Sequence, residues 1–458
     1  MIEGAELRSN QAPRIEYRGV FETAVQFVCC AAVVLFSLQH LRPSAHIDLY
    51  PTYVAARLAN ESRWDLVYMP TVWSFHGAAP EWDARARSLG IDSHAGTSFV
   101  YHPWYLLALR PLAALVSYAD FQDLYVGASE LCVVLVGFGI VRLLRIRSLP
   151  VQLLICLLVA HASPTLNSLE LGQNTLAALA FSLAAAVAWR SRRCVLLGAV
   201  FAGLAWACKP WCPALVVLCP LLRGWRAGAL VSLALVVGMI GLPVMLLPSA
   251  LMHDYATVNL ELMRQSVPGW NNLSLLSIME RSTNPDWSLH LLEWFPAHPS
   301  PGLRIAASAA AVAVLVAAGW LWWRRRPDPT WTAAAWLAFM PMPLGICWTH
   351  YFLFTLPLGC LVIMSHSSPK ALRAAAMCLV ALVFAMVPLY AATLEDVAGH
   401  VAEPVGAPWL RALPMALLAG VLLGSLRFAN QFDGSQTSVP GGGNPSSAQV
   451  LGRNPRDS

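Results

Sequence analysis

Charged residues are scarce in this chain, and their scarcity decides the class of protein. Only 12% of the 458 residues are charged and 57% are hydrophobic, whereas a soluble protein carries roughly 25% charged residues. The composition therefore predicts an integral membrane protein. The net charge of +5 does not indicate a nucleic-acid partner, because the arginines lie in small groups beside hydrophobic runs, where basic residues anchor cytoplasmic loops.

Several familiar catalytic motifs are also missing. The chain has no phosphate-binding glycine loop, no HExxH and no GxSxG. Its eleven cysteines include no CxxC pair and lie mostly in or beside apolar runs, which argues against a disulfide framework or a zinc site. Acidic and histidine residues are too scattered to indicate a metal site, so no metal ion or other cofactor is expected.

Long hydrophobic runs are abundant and predict an all-α integral membrane protein. Spanning segments are predicted near 21–41, 121–144, 150–162, 175–190, 195–223, 227–248, 303–323, 331–347, 351–366, 373–392 and 408–427. The run 195–223 contains Lys209, Pro210 and Pro213 and is interpreted as a hairpin of two short helices, since proline breaks helices. The prediction is a polytopic bundle of about 11 to 13 transmembrane helices.

The flanking segments complete the predicted organisation. Residues 1–20 are a cytoplasmic segment, 21–427 the membrane domain, and 428–458 a tail rich in Gly, Ser, Asn and Pro that is expected to be disordered. Arginine groups assign one side to the cytoplasm. The opposite, outer side receives the two large loops, 42–102 and 249–302. The predicted location is the cytoplasmic (inner) membrane, with the functional site on its periplasmic or extracellular side.

Segment 103–118 is apolar but contains Arg110 and Pro111. Counting it as a span would place the arginine group 142–147 outside. It is therefore predicted to be a re-entrant or interfacial helix. An arginine at membrane depth pairs with an anion such as a lipid phosphate, or extends to the headgroups. His102 directly precedes this segment.

The first loop holds one polar cluster, in the stretch HIDLYPTYVAARL, with His46, Asp48 and Tyr50. A partly desolvated carboxylate at Asp48 can act as a general base on a hydroxyl. The alternative is that Asp48 only caps the helix starting near Pro51. Asp65, later in the same loop, is a rival base and has the character of a solvated residue.

A second cluster pairs SLELGQNT with ACKPWCP. Gln173 and Asn174 begin one helix, and Lys209 lies at the next turn. A lysine between apolar helices needs an anionic partner. Glu170 would give a structural ion pair, and a lipid phosphate would give a binding site.

A third cluster joins WNNLSLLSIMER to GICWTHYF. Asn271 and Asn272 carry donors and acceptors suited to sugar hydroxyls, and Trp348 offers a flat apolar face on which a pyranose can stack. His350 can bind a phosphate when protonated or a hydroxyl when neutral. The alternative for the aromatic residues is an interfacial belt.

The ordered series of DLYPTYVAARLAN, FVYHPWYLLALRPLAAL, LELGQNTLAALAFSLAA, CKPWCPALVVL and WNNLSLLSIMER resembles glycosyltransferase family 87 over about residues 45–365. The most specific part is LGQN followed by KPW about 35 residues later. That family includes polyprenol-phosphate-mannose-dependent alpha-(1→2)-mannosyltransferases. The resemblance implies a GT-C membrane fold, Asp48 as the base and a role for His350. The family often reads SPxSWxHY at the latter site, and here PLGICWTHY lacks the serines.

The implied activity is an inverting hexosyltransferase that moves a sugar, mannose by resemblance, from a polyprenyl phosphate to a lipid or glycan acceptor. The absence of a DxD-like pair favours a donor with a single lipid phosphate. The expected phosphate-binding residues are Lys209, His350 and Arg110. The expected substrate-binding residues are His46, Tyr50, His102, Gln173, Asn174, Asn271, Asn272 and Trp348.

Two other functions stay open at this level. A transporter or lipid flippase predicts an inverted repeat and charged groups near the membrane midplane. The broken run 195–223 fits that prediction in part, but no strong repeat is found. A non-catalytic scaffold for envelope enzymes is the third interpretation.

Overall fold

The computed structural model describes residues 17–39, 48–69, 80–91, 99–190, 194–210, 219–220, 223–267, 272–283, 299–365, 368–399 and 408–428. Within these ranges the chain is helical, with one isolated β-bridge between Asn272 and Trp348. The helices are α1 Tyr17–Leu38, α2 Leu49–Asn60, α3 Pro80–Ser88, α4 Pro103–Leu115, α5 Tyr118–Leu143, α6 Leu149–Ala160, α7 Ser163–Leu171, α8 Thr175–Ala188, α9 Val195–Cys208, α10 Arg226–Leu246, α11 Ser249–Arg264, α12 Leu275–Thr283, α13 Pro301–Arg325, α14 Pro329–Phe339, α15 Leu356–Met364, α16 Lys370–Gly399 and α17 Pro408–Phe428. Short 3₁₀ segments cover Trp64–Leu66 and Thr349–Thr355.

Four of the described helices are long and apolar enough to cross a membrane. They are α1, α5, α10 and α13, and the pair α6 and α7, bent by 52°, makes a fifth if it is one span. Shorter apolar helices are α8, α9, Thr349–Met364 and Ala412–Phe428. The all-α polytopic membrane fold is confirmed, and the count of 11 to 13 spans stays a prediction.

Three predicted boundaries are corrected by the structure. The run 331–347 is helical only to Phe339, because Pro341 and Pro343 cannot continue a helix. The run 351–366 begins as the 3₁₀ segment and becomes α-helical at Leu356. The run 373–392 is part of a longer helix that reaches Gly399.

The helices form two hydrophobic cores. The larger core is built from the membrane helices, and the smaller joins α2, α3 and α4 to the start of α5 and to α11. Tyr68, after α2, lies 5.4 Å from Tyr255 of α11, ring to ring. Described parts of the loops 42–102 and 249–302 therefore pack together, and this layer is called the polar end below. The short helix α4 packs in this layer, and its interfacial position stays a prediction.

Arginines collect at the other end, called the arginine end below. Arg190 donates from Nη1 to the carbonyl of Arg142 at 2.7 Å, and Arg223 donates to the carbonyl of Pro327 at 2.8 Å. Helix α5 connects the two ends, because Phe121 is buried in the polar-end core and Arg142 lies 21 residues later. At 1.5 Å per residue this is ~32 Å, close to the ~30 Å of a bilayer's hydrocarbon core.

Candidate functional site

Asp48 stands at the first turn of α2, against the end of α7. Its backbone N–H donates to the carbonyl of Leu171 at 2.9 Å. Its carboxylate makes no capping hydrogen bond to α2 and instead accepts one from Nε2 of Gln173. The interpretation of Asp48 as a mere helix cap therefore does not match the structure, and the carboxylate faces another polar side chain.

Gly172 brings these two elements together. It ends α7 in the left-handed conformation, with φ +72°, and a Cβ placed on it would lie 2.8 Å from the Cβ of Leu49. Only glycine fits both the dihedral angle and the close approach. The backbone N–H of Gln173 then donates to the carbonyl of Ser168 at 2.8 Å, which fixes the turn beside Asp48.

Lys209 follows the last residue of α9 and is 7% exposed. Its Nζ donates to Oε1 of Gln173 at 3.0 Å and to Oγ1 of Thr175 at 2.8 Å. It also lies 4.2 Å from the ring centroid of Tyr351. No ion pair between Lys209 and Glu170 occurs in the described part of the chain, where Glu170 is exposed, so that suggestion is wrong. The Gln173 amide thus joins Asp48 to Lys209.

Asn174 supports the same arrangement. Its Nδ2 donates to the carbonyl of Cys208, the residue before Lys209. Each residue of the segment LGQNT therefore contributes a contact at the site. Leu171, Gly172 and Gln173 contact the Asp48 turn, whereas Asn174 and Thr175 hold the Lys209 turn.

The electrostatic environment makes Asp48 a stronger base than a surface carboxylate. Burial raises its pKa from 3.8 to about 6, and the Gln173 hydrogen bond and the Lys209 charge oppose that rise. A carboxylate with this pKa is mostly ionised at neutral pH, yet close enough to it to take a proton efficiently. The hydroxyl of Tyr101 lies 3.5 Å from Oε1 of Gln173 and completes the described polar contacts of that amide.

His350 is adjacent to this cluster through Tyr351. It is fully buried, and its ring lies 4.6 Å from the Tyr351 ring, edge to face. Its Nδ1 lies 3.4 Å from Oδ1 of Asn167, which also accepts from Oγ1 of Thr349. An amide oxygen only accepts, so Nδ1 carries the hydrogen and Nε2 of the neutral ring is an acceptor. Among described residues Nε2 has no hydrogen-bond partner.

His102 caps α4 and faces aromatic neighbours. Its Nδ1 accepts from the backbone N–H of Trp104 at 3.1 Å. Its ring lies 5.8 Å from Trp206 and 5.2 Å from Tyr255. Burial lowers its pKa to about 4, so the ring is neutral at pH 7 with its hydrogen on Nε2. The Nε2–H group can therefore donate a hydrogen bond to a hydroxyl oxygen of a substrate.

Asn272 is fully buried and serves the backbone. Its Nδ2 donates to the Val267 carbonyl at 2.7 Å, and its Oδ1 accepts from the backbone N–H groups of Cys347 at 2.8 Å and Ser274 at 3.1 Å. It forms the β-bridge with Trp348. Asn272 thereby positions the half-buried Trp348, and the predicted direct contact of its amide with a sugar competes with these three bonds.

Arg110 lies along α4, away from the His102 end of that helix. Arg110 donates from Nε to Oδ1 of Asn60 at 3.2 Å and stacks 4.9 Å from the Trp64 ring centroid. It lies eight residues, or ~12 Å of helix, beyond His102. Tyr50 is buried in α2. His46 and Asn271 lie outside the described residues.

Four contributors were not predicted from the sequence. Thr175 and Tyr351 are chain neighbours of predicted residues, and the adjacency was the available signal. Asn167 and Tyr101 reach the site only through the packing of α7 and of the segment before α4. No group of three or more His, Cys, Asp or Glu residues that could hold a metal occurs in the described ranges.

Comparison with protein families finds a match. The model of glycosyltransferase family 87 matches residues 99–346, more than half of the chain. The match includes Gln173 and Lys209, while Asp48 and His350 flank it. Comparison with curated proteins and with solved structures finds no match. The chain belongs to glycosyltransferase family 87 and is a membrane glycosyltransferase.

Proposed function

We propose that the protein transfers a sugar from a polyprenyl phosphate to a hydroxyl of a lipid or glycan acceptor on the outer face of the cytoplasmic membrane. The sugar is mannose by family resemblance. The observation that carries the proposal is the single amide of Gln173 between Asp48 and Lys209. The Asp48 carboxylate and the Lys209 ammonium group are bridged by one side chain. Such a transfer requires these two charges, a negative base for the acceptor hydroxyl and a positive group for the departing phosphate.

Asp48 is the general base. It takes the proton of the acceptor hydroxyl as that oxygen forms its bond to the anomeric carbon. The raised pKa supports this role, because the carboxylate is ionised at neutral pH and still basic. General-base assistance contributes roughly 10²- to 10⁴-fold to the rate.

Lys209 holds the leaving group. As the bond between the anomeric carbon and the phosphate oxygen breaks, negative charge grows on the polyprenyl phosphate, which departs with the electron pair. A buried ammonium stabilises that charge far better than one in water. The acceptor attacks from the face opposite the phosphate, so a β-linked donor gives an α-linked product with inversion. His350, whose Nε2 is an acceptor, accepts a hydrogen bond from a sugar hydroxyl.

Transport is less well supported. His102 contacts Tyr255 of α11, and Tyr101 beside it contacts Gln173, so the polar groups adjoin the polar end. A transporter would concentrate its binding groups near the midplane of broken helices.

The test is sugar transfer by the purified protein in nanodiscs. Radiolabelled polyprenyl-phosphate-mannose is supplied with a crude lipid and glycan extract, and wild type is compared with Asp48→Asn. Asp65→Asn is the matched control, because Asp65 lies in the same loop, pairs with Arg63 at 3.3 Å and is 66% exposed in its side chain. Transfer by wild type and Asp65→Asn, and its loss in Asp48→Asn, is the expected result. Equal transfer by all three proteins would remove Asp48 as the base.

A second measurement tests which end of the molecule faces outward. Cysteine is introduced at Arg87, exposed on α3 of the polar end, or at Arg325, exposed at the arginine end. A membrane-impermeant thiol reagent on intact cells should label Arg87→Cys above the parent protein and leave Arg325→Cys at the parent's level. The reverse pattern would place the site on the cytoplasmic face.

A further inference from the structure

Gln173 lies between two opposite charges and contacts both. Its Nε2 donates to Asp48, and its Oε1 accepts from Lys209 at 3.0 Å and faces the Tyr101 hydroxyl at 3.5 Å. An amide has one donor end and one acceptor end. The carboxylate requires the donor and the ammonium requires the acceptor, so the two charges together determine the orientation of the side chain.

The turn around Gln173 is fixed on both sides. Gly172 allows the chain to approach Leu49 closely, and Asn174 is bonded to the carbonyl of Cys208. Gln173 itself is 8% exposed. A side chain held in this way has little freedom to turn toward a sugar, and its two ends are already engaged. This geometry does not favour the substrate-binding role expected from the sequence.

We propose that Gln173 is a positioning residue of the transfer reaction, whose one amide holds the Asp48 carboxylate at a set distance from the Lys209 ammonium. The inference rests on the proposed function for its role in catalysis. The base and the leaving-group cation must serve the same sugar from opposite faces, so their separation has to be constant. A misplacement of about 1 Å can cost on the order of 10²-fold in rate.

The groups that face Asp48 determine what the loss of the amide would do. Among the described residues these are Gln173, the cationic Lys209 and the neutral Tyr101. The Gln173 hydrogen bond favours the ionised carboxylate. Replacing Gln173 by leucine removes that donor and keeps the charge of Lys209, so the carboxyl group should titrate about one pH unit higher.

The decisive experiment measures the titration of Asp48 without any substrate. The carboxyl band of protonated Asp48 is isolated as the infrared difference between each protein and the same protein carrying Asp48→Asn. The proteins are wild type, Gln173→Leu, Gln173→Glu and Gln152→Leu. Gln152 is a matched control, because it is also buried and its Nε2 bonds a backbone carbonyl, that of Ile146, at 2.8 Å.

The expected midpoints follow from the contacts. Wild type and Gln152→Leu should titrate near pH 6, Gln173→Leu about one unit higher, and Gln173→Glu higher still, since an ionised glutamate cannot donate and repels Asp48. The acidic limb of sugar transfer should move by the same amount. Equal midpoints in all four proteins would overturn the inference and leave only a structural role.

The two proposals fail in different ways. If the midpoints move as expected but wild type transfers no sugar from any polyprenyl-phosphate donor, the proposed function is wrong and the coupling of Gln173 to Asp48 stands. If wild type transfers sugar but the midpoints do not move, the function stands and the inference is wrong. Thermal unfolding of Gln173→Leu and Gln173→Glu shows whether at least one variant is folded for the comparison.

Discussion

Replacement of Asp48 by asparagine separates catalysis from folding. Burial and the neighbouring groups raise the pKa of Asp48 from 3.8 to about 6. At 1.36 kcal/mol per pH unit, the folded protein disfavours the ionised carboxylate by about 3 kcal/mol. A raised carboxyl pKa means that this cost is present above pH 6 and disappears as pH falls below about 4.

Asparagine is neutral and has nearly the same shape, and its Oδ1 can accept the hydrogen bond from Gln173. Asp48→Asn should therefore unfold at the same temperature as wild type or a higher one at pH 7.5, with a gain of at most about 3 kcal/mol. The gain should vanish at pH 4, where Asp48 of wild type is protonated. Sugar transfer at pH 7.5 should nevertheless fall roughly 10²- to 10⁴-fold, because the variant has no base.

The measurements are transfer rates in nanodiscs and thermal unfolding of the same samples. Asp65→Asn should match wild type in transfer rate and in unfolding temperature, since Asp65 is exposed and has no proposed role in catalysis. Near-normal turnover by Asp48→Asn would refute the role of Asp48 as base. Loss of activity accompanied by a marked fall in thermal stability at pH 7.5 would refute the electrostatic reasoning, because it would show that the carboxylate stabilises the fold.

Three further predictions concern the same site. Transfer by wild type should rise tenfold per pH unit below about pH 6 and level off above it, because Asp48 must lose its proton; a rate independent of pH between 4.5 and 7.5 would contradict this. Lys209→Met should lower the transfer rate roughly 10²- to 10³-fold, by analogy with the loss of one preorganised charge-stabilising donor, and the loss of less than threefold would remove Lys209 from the phosphate site. Gly172→Ala should lower the unfolding temperature by an amount equivalent to about 1–3 kcal/mol, because φ is +72° and the new Cβ would meet Leu49. Gly238→Ala is its control, since it lies within α10 with nothing within 4 Å of the added atom, and should be neutral or slightly stabilising.

Sequence patterns predicted the helices well where one physical signal dominated. Segments 121–144 and 227–248 correspond closely to α5 and α10, because an uninterrupted apolar run of membrane length has few alternatives. The prediction was wrong at 331–347, where two prolines end α14. The segment that follows is not helical, and its Cys347 carbonyl accepts a hydrogen bond from the backbone N–H of Leu273 at 2.7 Å. Composition alone did not indicate that this stretch would be used for tertiary contacts.

At the candidate site, too, the residues were predicted from local patterns and their tertiary contacts were not. Asp48, Lys209, Gln173 and Asn174 were each predicted because an unusual polar residue stood beside an apolar run. Their partners were not predicted, and for Lys209 the suggested partner, Glu170, was the wrong one. Hydrogen bonds that join residues 125 positions apart, as between Asp48 and Gln173, depend on how helices pack, and local sequence patterns carry no information about that packing.

The sequence by itself determined that this chain is a helical membrane protein with its unusual polar residues in a few short segments, because hydrophobicity and charge act locally and leave a direct record in composition. Only the tertiary structure decided that Gly172 lets α7 meet α2, that Lys209 bonds Gln173 and Thr175, and that one amide stands between the carboxylate and the ammonium group. These contacts depend on close packing and on the orientation of single side chains, which are properties of the folded chain as a whole.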